Sequence, residues 1–149
     1  MKELLLAAIM SLTALPAAAQ EITNLDRLTG KYLYDAFIGK TMDGIYKLPR
    51  ERSGTNKFTE SFYADGTTFY REGDVTDEGF WRIESDIICF SYSGELSGGE
   101  SCFVVYASGS CIYSYNPRNV RNGKPINTNA WSAKTLIRGD VSTCDNLIS

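Results

Sequence analysis

The stretch from Gly79 to Tyr115, GFWRIESDIICFSYSGELSGGESCFVVYASGSCIYSY, constrains the fold more than any other part of the chain. Its apolar runs are short, rich in aromatic and β-branched side chains, and bounded by Gly and Ser. They read as strands rather than helices. Because a two-residue turn sets the register of a hairpin, each proposed turn dictates which side chains share a face. A turn at Ser85-Asp86 sets Ile83 opposite Ile88 and Trp81 opposite Phe90, with Arg82 and Cys89 on the other face. A turn at Ser108-Gly109 pairs Val105 with Ile112, Phe103 with Ser114, and Tyr106 with Cys111. Placing Cys89 across from Cys102, over the Gly-, Ser- and Glu-rich connection from Ser93 to Ser101, sets Ile88 beside Phe103. One apolar face then runs through all the strands without a register conflict, as expected of a sequence that specifies one structure.

The cysteines raise the question of compartment. Residues 1–19 have the pattern of a signal peptide: Lys2 near the start, an apolar run from Leu4 to Leu15, and Ala17-Ala18-Ala19 before Gln20 as the cleavage signal. The apolar run is too short to span a bilayer core of roughly 30 Å at about 1.5 Å per residue, so cleavage is expected rather than anchoring. Removal leaves about 130 residues, enough for one domain with its own core. It takes away one base and one acid, so the net charge stays at −3. The expected product is periplasmic or secreted, not inserted in a membrane, and monomeric. In an oxidising space the four cysteines read as two disulfides with three pairings open to them. The strand register favours Cys89–Cys102, leaving Cys111–Cys144 to tie the C-terminal tail to the sheet.

Ile22 to Thr41 reads as the one helix, with Leu25, Leu28, Tyr32 and Ala36 at helical spacing and Thr23 or Asn24 as N-cap. Gly39-Lys40-Thr41 resembles the tail of a phosphate-binding loop, but Tyr34 stands where that motif needs its first Gly. Lys57 to Glu72 reads as a hairpin about Asp65-Gly66, with Phe62 facing Phe69 and Glu60 facing Arg71; the other face carries Ser61, Tyr63, Thr68 and Tyr70. Asp74, Asp77 and Glu78 are acidic but lack calcium-loop spacing: Thr76 and Ser85 occupy ligand places. Asn116 to Gly139 holds Arg118, Arg121, Lys124, Lys134 and Arg138 with no acid, whereas Glu60 to Glu100 is strongly acidic. Such asymmetry can mark a binding surface for anions or two neighbouring faces that satisfy each other, and the second reading is preferred. The acidic total and sparse basic residues exclude a nucleic-acid binder.

The chain has no histidine, which removes the commonest general base and metal ligand. With all four cysteines oxidised and no Cys-x-x-Cys, neither a thiol nucleophile nor a zinc site is expected. No metal, cofactor or catalytic residue is therefore assigned. Tyr63, Tyr70, Tyr106, Tyr113 and Tyr115 lie on faces opposite the apolar one, and each has an apolar body and a polar tip suited to contacting a ligand.

Gly39-Lys40-Thr41, Tyr63-Ala64-Asp65-Gly66-Thr67, Gly79-Phe80-Trp81, Cys89-Phe90 and Cys102-Phe103 together resemble a group of small exported proteobacterial proteins carrying a domain of unknown function. The resemblance implies a β-rich periplasmic domain with a Cys89–Cys102 bridge and implies no activity. The expected fold is mainly β: a small antiparallel barrel or strongly curved sheet of about seven or eight strands with a short N-terminal helix. The expected function is a non-catalytic binding module for a small amphipathic ligand or an envelope protein. The alternative is an inhibitor of a periplasmic or host hydrolase, acting through Ser93–Ser101 or Asn116–Asn129.

Overall fold

The computed structural model describes residues 22, 24–94, 96, 98–140 and 144. The leader expected at 1–19 lies outside the described residues. Most of the described chain is an antiparallel meander: β2 (Thr41–Tyr46), β3 (Lys57–Phe62), β4 (Thr67–Glu72), β5 (Val75–Glu84), β6 (Ile87–Tyr92), β7 (Ser101–Ser108), β8 (Cys111–Tyr115) and β11 (Ala133–Ile137). Each strand pairs with the next, and β11 pairs with both β8 and β2, closing an eight-stranded up-and-down barrel. Closure leaves no open strand edge among these eight. A short β1 (Asp26–Arg27) adds to β7 beyond the start of β6, and β9 (Val120–Arg121) with β10 (Lys124–Pro125) forms a separate small ribbon.

The Ser85-Asp86 turn is as the sequence implies. Both residues have positive φ (52° and 60°), and Ile83–Ile88, Trp81–Phe90 and Arg82–Cys89 are partners. Cys89 lies opposite Cys102 and is bonded to it, with Cα atoms 4.0 Å apart; Cys111 is bonded to Cys144. Two disulfides place the protein in a non-reducing, exported setting. No helix among the described residues is long and apolar enough to cross a membrane.

Three local expectations are corrected. The second hairpin turns at Gly109-Ser110 rather than Ser108-Gly109, so Val105 meets Ser114 and Tyr106 meets Tyr113. A shift of the turn by one residue changes partners but preserves faces. The hairpin at Asp65-Gly66 differs more. Its loop is three residues, Ala64-Asp65-Gly66, with Tyr63 N donating to Thr67 O and Gly66 at φ 85°. Three loop residues instead of two shift the register by one, so Phe62 meets Thr68 and Glu60 meets Tyr70. This puts Phe58, Glu60 and Phe62 on the same face as Thr68, Tyr70 and Glu72, and that face points into the barrel.

The helix, α1, is confined to Gly30–Phe37, and Thr29 rather than Thr23 or Asn24 occupies its N-cap. It buries Leu33 and Phe37, while Tyr32 is 78% exposed. Thr29 makes no side-chain cap; Asp86, at the β5–β6 turn, accepts from Gly30 N at 2.7 Å. A tertiary contact thus does the work of a cap and decides where the helix begins. Leu33 and Phe37 pack into one end of the barrel against Met42, Phe62, Trp81, Ile88, Val105 and Ile112, forming its floor.

Candidate functional site

Above that floor the barrel is not filled. A cavity of about 380 Å³ runs from Phe37, Met42, Phe62, Phe90 and Phe103 up to Arg50, Arg52, Leu96, Gly98, Gly99 and Ser132 in the connections at the opposite end. Eight-stranded barrels sit at the size where the interior is either packed solid or holds one small guest. Small side chains explain the space here: β7, β8 and β11 contribute Ser101, Ser114, Ala133 and Thr135 to the lining.

Aromatic rings make the opposite wall. Tyr46, Phe58, Tyr70 and Tyr92 follow one another with centroid separations of 4.6, 5.5 and 5.6 Å. Gly44 admits this arrangement, because a Cβ there would lie 2.3 Å from the Phe58 ring. The phenols are joined to two buried carboxyls. Tyr46 Oη and Tyr70 Oη are 2.9 Å apart, and Tyr70 Oη donates to Glu72 Oε2 at 2.5 Å. Glu72 also accepts two hydrogen bonds from the Arg52 guanidinium and one from Ser53 Oγ. Burial pushes the Glu72 carboxyl up, but the bonds from Arg52, Ser53 and Tyr70 outweigh it and hold the group below the usual glutamate range.

Glu60 is different. It is 6% exposed and accepts from Tyr92 Oη at 2.6 Å and Thr68 Oγ1 at 2.9 Å, both neutral donors. Burial pushes its carboxyl up to about 7, with the Tyr92 and Thr68 bonds opposing the rise. Burial likewise raises Tyr46, Tyr70 and Tyr92 above the ordinary phenol value, so all three are neutral donors near pH 7. Arg50 stacks over the Tyr46 ring with its guanidinium carbon 3.9 Å from the centroid, and Arg52 is spent on Glu72.

The five tyrosines singled out in the sequence do not share a face. Tyr70 lines the cavity, whereas Tyr63 is half exposed at the β3–β4 loop. Tyr106, Tyr113 and Tyr115 point outward from β7 and β8 and are buried beneath the C-terminal connection, in a second core with Val104, Leu136 and the Cys111–Cys144 bridge. There Tyr106 Oη donates to Gly123 O and Tyr115 Oη to Thr128 O, which pins segment 116–131 to the barrel wall. Their polar tips serve the fold.

The sequence reading missed Tyr46, Tyr92, Phe58 and the inward aim of Glu60. Tyr92 had a signal: it lies two residues beyond Phe90, on the face already defined by the Ser85-Asp86 turn. Glu60 had one too, alternating with Phe58 and Phe62 along β3, but the two-residue reading of Asp65-Gly66 set Phe69 and Arg71 across from that face in place of Thr68 and Tyr70. Of the basic residues in 116–139, Arg138 pairs with Asp43 and Lys134 lies over the Tyr113 ring, on the outer wall. Set against protein-family models, curated proteins and solved structures, the chain matches none of them.

Proposed function

We propose that this protein is a non-catalytic binding vessel of the periplasm or the cell exterior, holding one small amphipathic molecule inside its barrel. The observation that carries this reading is the cavity of about 380 Å³, with an apolar floor, an aromatic wall and a few convergent polar groups. Ligand sites typically have this size range, roughly 300–1,000 Å³, and this make-up. The reading favours holding over transforming because Glu72, the second carboxyl near the site, is already neutralised by Arg52 and hydrogen-bonded by Ser53 and Tyr70. It is therefore not available as the partner of Glu60 in acid–base work. Inhibition through 116–129 has less support, since that segment is drawn against the barrel by Tyr106 and Tyr115.

Native mass spectrometry of protein purified with its disulfides intact, followed by solvent extraction, tests the proposal. A Ser114→Leu variant, which builds a larger side chain into the cavity lining, serves as the blocked control. The expected result is a small molecule retained by the wild type and absent from the variant at unchanged thermal stability. Wild-type protein that is empty, and that binds no apolar fluorescent probe, refutes it.

A further inference from the structure

Resting on the reading of the barrel as a vessel, we propose that its guest carries a protonated amine, received by the carboxylate of Glu60, with an apolar body lying toward Phe37, Phe90 and Phe103. Both donors to Glu60 reach the same oxygen, Oε1; among the described residues no donor reaches Oε2, which is not a sealed, unsatisfied atom but one open to the cavity. A carboxyl that lines a cavity while 6% exposed, with one oxygen open to that cavity, can accept from a guest there. The surroundings select the charge of that donor. Tyr70 lies directly across from Glu60 on β4, Met42 directly across on β2, and Phe58 and Phe62 two residues to either side on β3. Aromatic faces stabilise a cation through their quadrupoles, and desolvation makes its pairing with a carboxylate strong.

The other charges facing the interior are already engaged. Glu72 on β4 is paired with Arg52, Asp77 on β5 accepts from Gly94 N and Leu96 N, and Arg50 at the mouth stacks on Tyr46. Tyr46, Tyr70 and Tyr92 are neutral near pH 7. Among the described residues Glu60 is the one carboxyl that lines the cavity, and it has no ion-pair partner; the Arg50 guanidinium keeps its charge at the mouth over Tyr46, so the preference for a cationic group is local to Glu60. Apo Glu60 is partly protonated near neutrality, so affinity for an amine should rise with pH as the carboxyl ionises.

The test uses three probes of equal chain length, n-octylamine, n-octanol and n-octanoate, titrated calorimetrically into the disulfide-bonded protein between pH 6 and 8. The expected result is that the amine binds at least tenfold more tightly than the other two, and more tightly at pH 8 than at pH 6. Glu60→Gln should cost the amine about tenfold to a hundredfold, the usual worth of a hydrogen bond to a charged group, leave octanol unchanged, and flatten the pH profile. Tyr92→Phe keeps the carboxyl but removes a bond that lowers its pKa, so the midpoint of the profile should move upward even if the Gln variant folds poorly. Octanol or octanoate binding as tightly as the amine, or amine affinity indifferent to both substitutions, overturns the amine assignment and leaves the vessel standing. No binding of any of the three overturns both.

Discussion

Replacing Glu60 by Gln separates the thermodynamic cost of a buried carboxyl from its role toward a guest. The amide keeps the shape of the side chain and an oxygen to accept from Tyr92 and Thr68. In the wild type the folded carboxyl ionises at about 7, against an ordinary value of 4.5. Through this window the folded state holds a proton that the unfolded chain has already released, so stability falls as pH rises and the full cost is present above the folded value. At about 1.4 kcal/mol per tenfold change in proton activity, the penalty approaches about 3 kcal/mol on the alkaline side. Most of it, about 2–3 kcal/mol, accrues between pH 5 and pH 8. Gln has no proton to lose and does not incur it. Urea unfolding of ligand-free protein with intact disulfides should therefore show the variant gaining about 2–3 kcal/mol on the wild type as pH is raised across that interval. Stabilities that stay parallel to within about 0.5 kcal/mol would mean that Glu60 is hydrated or otherwise compensated in the fold, and the electrostatic reasoning about the cavity would fail.

Three further perturbations probe the frame around the site. Gly44→Ala drives a methyl group into the Phe58 ring and should lower stability by about 1–3 kcal/mol in thermal melts, with weakened probe binding because the aromatic wall must shift. Asp86→Ala removes the acceptor for Gly30 N and should cost about 0.5–2 kcal/mol, with faster amide exchange in the first turn of α1. Chain-entropy reasoning gives about 3 kcal/mol for closing the 13-residue separation of Cys89–Cys102 and about 4 kcal/mol for the 33-residue separation of Cys111–Cys144, so Ser pairs at the second bridge should destabilise more. Non-reducing peptide maps should return these two pairings.

The fold class was legible in the sequence because short aromatic and β-branched runs separated by tight turns leave few alternatives to an antiparallel sheet. The Ser85-Asp86 turn and the Cys89–Cys102 pairing held residue by residue, since a two-residue loop fixes the register of β5 on β6 and a cross-strand bond fixes that of β6 on β7. The site was hidden by one residue of loop length. Ala64 joins the turn, Phe62 moves from Phe69 to Thr68, and Glu60 and Tyr70 come together inside. Parity decides faces, and dipeptide turn signals do not specify parity. Tyr106, Tyr113 and Tyr115 were misleading for another reason. Outward faces of a barrel are not always wet, and here a long connection folds back over them. The helix face failed likewise, because Leu33 and Phe37 are chosen by the shape of the barrel end rather than by the longest run of helical spacing.

Leu33 and Phe37 plug one end of the barrel, so among the described residues the cavity is reached from the end that carries Arg50, Arg52 and Ser132. On the proposed reading as a vessel, a guest that entered there would have to turn back to leave, and the barrel would store rather than conduct. On the same reading rival guests would exclude one another, exchange would be paced by departure, and a compound lodged firmly enough would act as a stopper.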